Sequence, residues 1–408
     1  MGFLNEFERL PLSELLKAAA FASSRQVQSS LRKTVCSLSD FANLISPAAA
    51  PHLEVLCRKA ELLTRQRFGN TIRLFAPLYL SNECVNNCKY CGFSRDNPIF
   101  RVTLSIEETL AEARALRAQG FRNLLLVAGE HPKFVSTNYL QACLRALRPE
   151  WPGLSIEVAP METEPYRALV EAGAEGLTLY QETYNPDVYA QVHTSGPKRD
   201  FAWRLEAPER GCAAGFRRIG IGALYGLYDW QSEAICVAAH ALYLLRHCWK
   251  SFLTISMPRL RPHAGSFEPK APLSDRALVQ LTAAFRICFP DAGLVLSTRE
   301  APALRDGLVH VGFTHMSAGS HTEPGGYTGA GREHIHLTKG SPRHGLDGAQ
   351  AIGQATDIPL TTATGQFEIA DHRSPSEISM MLMKNRLEPV WKDWDAALTP
   401  CSCDLALT

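Results

Sequence analysis

The segment 73–93, RLFAPLYLSNECVNNCKYCGF, joins an apolar run to a polar stretch that carries three closely spaced cysteines. Cys84, Cys88 and Cys91 are separated by three and then two residues, so their sulfurs can converge on one metal centre from a single loop. Three thiolates are one fewer than a closed zinc site or a fully cysteine-ligated iron–sulfur cluster needs. Their polar neighbours argue against three buried apolar cysteines. The pattern predicts a metal centre with a position open for chemistry, and zinc stays open as an alternative.

The apolar run is the first of eight that recur along the chain. Helical patterns separate most of them, such as the one that begins at the capping box of Ser105 and Glu108. Strands that alternate with helices pair in parallel through crossover connections. Eight such units predict an α/β fold, a (β/α)8 barrel of the TIM type. The candidate strands are 73–80, 122–128, 154–159, 176–181, 217–222, 252–257, 292–297 and 309–316.

Four segments are expected along the chain. Leucines at helical spacing predict an N-terminal helical extension over 1–70, and the strand–helix units assign 71–318 to the barrel. Residues 319–365 are rich in Gly, Thr and His without periodicity, which indicates a loop or mobile insertion. A helical tail that packs on the barrel is expected over 366–408.

Composition excludes several classes of protein. The 408 residues carry a formal net charge of +1 at pH 7, so no basic field indicates a nucleic-acid partner. No apolar run is long enough to cross a membrane, and the N-terminus lacks the pattern of a secretory signal. The 12 cysteines therefore indicate reduced thiols and a cytoplasmic protein rather than a disulfide framework.

The order of strand and cysteines places the metal centre at the mouth of the barrel. Active sites of this fold lie at the C-terminal ends of the strands, and the cysteines directly follow the first strand. Polar side chains at the ends of other strands are expected to point into the same space. These are Glu130, His131, Glu157, Gln181, Glu182, Arg299, Glu300 and Ser317.

The cysteine spacing, with Tyr90 before the last cysteine, resembles the motif of radical S-adenosylmethionine (SAM) enzymes. Longer stretches from about residue 60 to 395 resemble one family in particular, the tyrosine lyases of thiamine thiazole synthesis, also called 2-iminoacetate synthases. These stretches are LTRQRFGNT, PLYLSNECVNNCKYCGFS, LLLVAGEH, YQETY, SMPRLRP, LSTRE, EPGGY and PVWKDWD.

This resemblance implies two cofactors and a reaction. The three cysteines would hold a [4Fe–4S] cluster, and SAM would chelate the remaining iron. Reductive cleavage of SAM would give a 5′-deoxyadenosyl radical, which abstracts hydrogen from the amino group of L-tyrosine. The Cα–Cβ bond then breaks, and the products are 2-iminoacetate and p-cresol, with 5′-deoxyadenosine and methionine.

The resemblance also assigns cofactor contacts. Gly129 and Glu130 match the segment that binds the methionine amino group, and Glu182 matches the ribose-binding carboxylate. Arg204 would face the cofactor carboxylate, and the strand around Ile221 would pack against adenine. From the residues alone, Glu182 could instead cap a helix.

For the substrate, the resemblance points to Arg299 as the carboxylate anchor, since its planar fork suits a carboxylate. Ser317 and Tyr79 would assist. Arg299 could alternatively form a structural ion pair with Glu300, and Tyr79 could belong to the barrel core. A proton donor to the leaving phenol is also expected. The candidates are His131, Glu157 and Tyr184.

Partners follow from the same resemblance. They are thiazole synthase, which would take the unstable imine, and an electron donor of the reduced flavodoxin or ferredoxin type. Two other functions stay open, a radical lyase acting on tryptophan and a metal-cluster scaffold. The related tyrosine lyase of hydrogenase maturation holds a second cluster in its C-terminal domain. Here the tail offers only Cys401 and Cys403, which disfavours that relative.

Overall fold

Eight parallel strands form a closed barrel in a computed structural model of the chain, which describes residues 2–338 and 363–391. The closure joins the last strand to the first, with Arg73 paired to His315 and Phe75 to Ser317. The predicted (β/α)8 fold is thus confirmed. We number the barrel strands β1 (Thr71–Ser81), β2 (Asn123–Ala128), β3 (Gly153–Glu157), β4 (Gly176–Thr178), β5 (Arg218–Gly222), β6 (Phe252–Ser256), β7 (Gly293–Leu296) and β8 (His315–Ser317).

The last strand departs most from its prediction. The apolar run 309–316 was expected to be extended, yet β8 begins only at His315. A short helix ends at Leu308, and the Val311 amide donates to the Leu308 carbonyl, so the run turns before it enters the sheet. Its apolar side chains pack in the core from a turn, which burial alone does not distinguish from a strand.

Helices cover the outside of the barrel, and the capping box of Ser105 and Glu108 starts one of them as predicted. Helices also follow β3, β5 and β6, at Thr163–Ala172, Trp230–His247 and Asp275–Cys288, as the predicted alternation of strands and helices requires. The helices are α1 (Phe3–Glu8), α2 (Leu12–Ala20), α3 (Ser24–Arg32), α4 (Leu38–Leu44), α5 (Leu53–Phe68), α6 (Ile106–Ala118), α7 (Thr137–Leu147), α8 (Thr163–Ala172), α9 (Pro186–Val192), α10 (Phe201–Leu205), α11 (Ala207–Ala214), α12 (Trp230–His247), α13 (Asp275–Cys288), α14 (Pro302–Leu308) and α15 (Pro375–Lys384).

The helices before β1 pack onto one side of the barrel. Helix α5 lies against α13, and α4 lies against both α12 and α13. Phe41 on α4 packs against Phe285 of α13 with 4.8 Å between ring centroids and the ring planes tilted by 49°, and both rings are buried. No helix of the described residues is long and apolar enough to cross a membrane.

The described residues after β8 return to the barrel mouth and to β1. A short strand, His336–Leu337, pairs antiparallel with Phe100–Arg101. Further on, Asp371 forms an ion pair with Arg305 of α14, and both side chains are fully buried. The strand Glu388–Val390 then pairs in parallel with the start of β1.

The end of the tail is described only in part. The Trp391 ring packs edge-on against Phe121, with 5.4 Å between ring centroids. The other tryptophan of the PVWKDWD stretch, Trp394, lies outside the described residues, as do Cys401 and Cys403.

Candidate active site

The three cysteines follow β1 on a loop that is tied to a neighbouring segment. Asn87–Cys88 pairs with His193–Ser195, which fixes the middle of the loop. Cys88 is 4% exposed, and Cys84 and Cys91 are half-buried. Burial raises the pKa of the Cys88 thiol, and it raises that of Cys91 to about 11. Both thiols therefore favour the protonated form at neutral pH, and a metal that binds them as thiolates displaces the proton.

Amide side chains face two of these sulfurs. Asn86 Nδ2 lies 3.8 Å from Cys84 Sγ, and Gln366 Nε2 lies 3.8 Å from Cys91 Sγ. Such N–H donors favour sulfur in its anionic form, as in a metal thiolate.

The donor set fits an iron–sulfur cluster. In the part of the chain that the structure describes, no three His, Cys, Asp or Glu side chains are arranged to bind a single metal ion. In a cluster each thiolate binds a different iron, so the three sulfurs need not meet at one point.

Gly129 and Glu130, at the end of β2, lie directly against the cysteine loop. A Cβ atom on Gly129 would fall 2.3 Å from the Glu83 carbonyl oxygen and 3.3 Å from Cys84 Cβ, so no larger residue fits there. Glu130 accepts a hydrogen bond from Asn86 Nδ2 at 2.6 Å. Both residues therefore hold the loop in place, and their contact with the methionine amino group stays a prediction.

Glu182 is the centre of a buried charge cluster. Its Oε1 accepts from Lys198 Nζ at 2.7 Å and from Arg204 Nη2 at 3.2 Å. Burial opposes its ionisation, but the two cations outweigh burial and lower the pKa of Glu182 to about 2. Glu182 also has a φ of 73°, which a non-glycine residue adopts only at a cost. This carboxylate binds side chains and does not cap a helix.

Two adjoining cavities open beside the cysteine loop. The outer cavity borders Cys91, Glu182 and Lys198, and the inner cavity extends into the barrel past Tyr79 and Ser317. Residues common to both walls include Glu157, Tyr180, Arg299, Gln366 and Phe367. Five of the predicted site residues thus border one continuous space, namely Tyr79, Cys91, Glu182, Arg299 and Ser317, whereas Gly129, Glu130, Arg204 and Ile221 line neither cavity.

Arg299 lies on the wall between these cavities. Its guanidinium carbon sits 3.4 Å from the centre of the Phe367 ring. No ion pair to Arg299 is found among the described residues, because the neighbouring Glu300 pairs with Arg259 instead. The alternative of an Arg299–Glu300 pair is therefore wrong. Arg299 Nη1 donates to the Arg259 carbonyl at 3.4 Å, and the other guanidinium nitrogens are left to bind a ligand. Burial lowers the pKa of Arg299, but arginine keeps its charge at neutral pH.

Tyr79 and Ser317 flank the inner cavity. The Tyr79 hydroxyl donates to Gln366 Oε1 at 2.9 Å, so this side chain is not plain barrel core. Ser317 Oγ accepts from the Thr298 amide at 3.2 Å, which leaves its hydroxyl hydrogen for a ligand.

One of the three proton-donor candidates lines the cavities. Burial, reinforced by the charge of Glu182, raises the pKa of Glu157 to about 7, even though Arg299 opposes the shift. His131 packs on Phe134 with 4.6 Å between ring centroids, and Tyr184 shares a 2.9 Å hydrogen bond with His240. Neither of those two residues lines either cavity.

Ile221 is not brought to the cavities. It is fully buried in the main hydrophobic core on β5, while its neighbour Gly220 faces the barrel interior between Thr178 and Thr254. A contact of this strand with adenine would therefore use its backbone and glycines rather than the Ile221 side chain, and the contact itself stays a prediction.

Four residues of the site were missed from the sequence. Lys198 carries no motif, and Tyr180 resembles any apolar strand residue. Gln366 and Phe367 lie 275 or more positions beyond Cys91, after the stretch without periodicity. Local pattern gives no signal for such a contact.

Comparison with known proteins agrees with this geometry. The radical SAM superfamily model matches residues 78–236, and the biotin and thiamin synthesis associated domain matches 256–388. The 2-iminoacetate synthase of Escherichia coli (strain K12) is 41% identical over 377 residues, which cover 92% of each chain. That of Salmonella typhimurium (strain LT2) is 39% identical over 397 residues, covering 97% of each chain.

Solved structures are similar over most of the chain. The crystal structure of HydG, a maturase of the [FeFe]-hydrogenase, matches with a TM-score of 0.83 and 29% identity, covering 95% of this chain and 81% of that one. Methylornithine synthase (PylB), at 20% identity and a TM-score of 0.67, shares the fold over 91% of this chain and 100% of its own. With the cysteine loop at the barrel mouth and the two close relatives over nearly the full length, the chain belongs to the 2-iminoacetate synthase family of radical SAM enzymes.

Proposed function

We propose that this protein is a lyase that cleaves the Cα–Cβ bond of L-tyrosine to 2-iminoacetate and p-cresol, for the thiazole moiety of thiamine. The observation that carries the proposal is the Arg299 guanidinium, which has no ion-pair partner among the described residues and faces cavities beside the cysteine loop. Two relatives named 2-iminoacetate synthase support it.

Membership of the family implies a [4Fe–4S] cluster and SAM. Cys84, Cys88 and Cys91 would hold the cluster. When bound, the two cofactors supply a strong hydrogen-atom abstractor after one-electron reduction. Glu130 and Glu182, which follow β2 and β4, and Arg204 on α10 are the residues we assign to SAM.

Arg299 would bind the carboxylate of the amino acid. Its planar fork donates two parallel N–H bonds to a carboxylate, and stacking on Phe367 leaves the edge of the fork exposed to the cavity. The Ser317 hydroxyl would add a donor at the same end. Binding of the amino-acid carboxylate by both Arg299 and Ser317 fixes the orientation of Cα, which is the reacting carbon.

The inner cavity suits the phenol ring. Apolar side chains form part of its wall, among them Phe75, Leu125, Val127, Met257 and Phe313. An apolar wall favours an aromatic ring and keeps water away from reactive species. Polar groups of Tyr180 and Ser256 border the same space.

Glu157 would donate the proton that the leaving phenol needs. Negative charge develops on the phenol oxygen when the Cα–Cβ bond breaks, and a positioned acid with a pKa near the working pH serves best. With a pKa of about 7, Glu157 is protonated in about half of the molecules at neutral pH.

The product is an imine that hydrolyses in water, so direct transfer to a partner protects it. We assign that role to thiazole synthase, and we assign the supply of electrons to a reduced flavodoxin or ferredoxin. Both partners, and the cytoplasmic location, belong to the proposal.

A product assay tests this function. The protein is reconstituted with iron and sulfide without oxygen, then given dithionite, SAM and L-tyrosine. We expect p-cresol, 5′-deoxyadenosine and glyoxylate, the hydrolysis product of the imine. Arg299→Gln should retain its cluster and form much less p-cresol. No p-cresol from tyrosine, together with turnover of L-tryptophan, would overturn the proposal.

A further inference from the structure

Residues 365–367 lie between the cysteine loop and the cavities. The Gly92 amide donates to the Gln366 carbonyl at 2.9 Å, and the Gln366 amide donates to the Thr322 carbonyl at 2.9 Å. A Cβ on Gly92 would fall 2.6 Å from the carbonyl oxygens of both Gly365 and Gln366. The residue after Cys91 is therefore a glycine because this segment approaches the loop so closely.

The side chain of Gln366 joins the substrate cavity to a cluster cysteine. Its Oε1 accepts from the Tyr79 hydroxyl at 2.9 Å, and its Nε2 lies 3.8 Å from Cys91 Sγ. In this orientation of the amide, the carbonyl oxygen accepts from the Tyr79 hydroxyl. The NH2 group is thereby turned toward the sulfur.

A second amide contact to a cluster sulfur differs in one respect. Asn86, which faces Cys84, belongs to the cysteine loop itself and borders neither cavity. Gln366 borders both cavities, and the next residue, Phe367, stacks on Arg299. The pair Gln366–Phe367 therefore touches the cluster ligand and the carboxylate anchor at once.

We propose that Gln366 is a positioning residue that couples the state of the substrate cavity to the [4Fe–4S] cluster. An N–H donor to a cluster thiolate stabilises the reduced, more negative cluster and raises its reduction potential. A ligand that contacts Tyr79 or Arg299 changes the hydrogen bond between Tyr79 and Gln366 or the stack of Arg299 on Phe367. Either change alters the contact between the Gln366 amide and Cys91 Sγ. Entry of tyrosine thus changes how readily the cluster is reduced.

The test is the midpoint potential of the reconstituted cluster, followed by EPR in a redox titration with and without L-tyrosine. Gln366→Leu removes both hydrogen bonds, and Gln366→Glu keeps the acceptor for Tyr79 while it removes the donor to the sulfur. Glu368→Gln, an exposed side chain two positions on, is the matched control. Iron and sulfide content shows that each variant is loaded.

We expect both Gln366 variants to have a more negative midpoint potential than the wild type and the control. The change that tyrosine causes in the wild type should disappear in Gln366→Leu. The ratio of 5′-deoxyadenosine to p-cresol should rise in that variant, because cofactor cleavage loses its link to substrate. A fully loaded Gln366→Leu protein with an unchanged potential would overturn the proposal. Should the Leu variant load poorly, Gln366→Met, which is uncharged and also lacks the N–H donor, decides by the same criterion.

The expected effect of tyrosine on the midpoint potential rests on the proposed function. The role of Gln366 and the cleavage of tyrosine can nevertheless be refuted separately. The potential is measured without turnover. Absence of p-cresol from the wild type, with a shifted potential in Gln366→Leu, would count against tyrosine cleavage and keep the link between Gln366 and the cluster. Normal p-cresol formation with no shift would count against Gln366 alone.

Discussion

Substitution of Arg299 gives a quantitative test of how the cavity holds an amino acid. Arg299→Gln removes the positive charge and would leave the tyrosine carboxylate buried without a counter-charge. Truncating one partner of a buried, hydrogen-bonded charge pair costs about 2–5 kcal/mol. This corresponds to a loss of affinity of roughly 30-fold to 5000-fold.

Arg299→Lys separates charge from shape. Lysine keeps the charge, but it loses one of two parallel bonds and the stack on Phe367, which lies 3.4 Å from the guanidinium carbon. A charge-assisted hydrogen bond contributes about 1.5–3 kcal/mol, so we expect tyrosine affinity to fall roughly 10-fold to 150-fold.

Both effects are measured by calorimetric titration of L-tyrosine into cluster-loaded protein with SAM and without reductant, so that no turnover occurs. Arg276→Lys and Arg276→Gln are matched controls, because Arg276 lies outside both cavities and donates to the Ala50 carbonyl at 2.8 Å. An Arg299→Gln protein that binds tyrosine within about threefold of the wild type would refute the role of Arg299.

Three further changes have definite expected outcomes. Alanine in place of any one of the three cluster cysteines should abolish 5′-deoxyadenosine formation and lower the iron content, and appreciable residual activity would contradict the site. For Glu157, with a pKa of about 7, the rate of p-cresol formation should fall as pH rises above 7 by up to about tenfold per unit, and Glu157→Gln should lose this pH dependence. Gly129→Ala should displace the cysteine loop at a cost of about 1–3 kcal/mol and lower cluster loading. Gly307→Ala, where the added methyl meets nothing within 4 Å beyond the backbone of its own helix and its chain neighbours, should load normally, and equal loading of the two variants would contradict the role of Gly129.

Much of the fold could be predicted from the sequence because each strand and helix has its own local pattern of apolar residues. Each apolar run and its following helix report their own positions, and the order of strands then places Cys84, Glu157 and Arg299 at the same end of the barrel. The run at 309–316 was misjudged because a turn packed in the core and a buried strand need the same apolar residues.

The site was less predictable where it depends on distant chain segments. Lys198 and Gln366 gain their roles only from what the fold places beside them, which are Glu182 and Cys91 respectively. The side chain of Ile221 points away from the cavities because of the alternation along β5. A resemblance that matches a segment does not state which of its atoms face the ligand.

Because the barrel closes between its first and last strands, part of it stays incomplete while the chain is being synthesised. One edge of β1 pairs with β8, which lies more than 230 positions later in the chain. Ribosomes add about 5–20 residues per second, so this edge stays unpaired for roughly 10–50 s after β1 has been made. Gln366, which covers Cys91, emerges later still. In a growing chain the cysteine loop is therefore complete well before its cover exists, and during that interval the loop is open to delivery of iron and equally to oxygen.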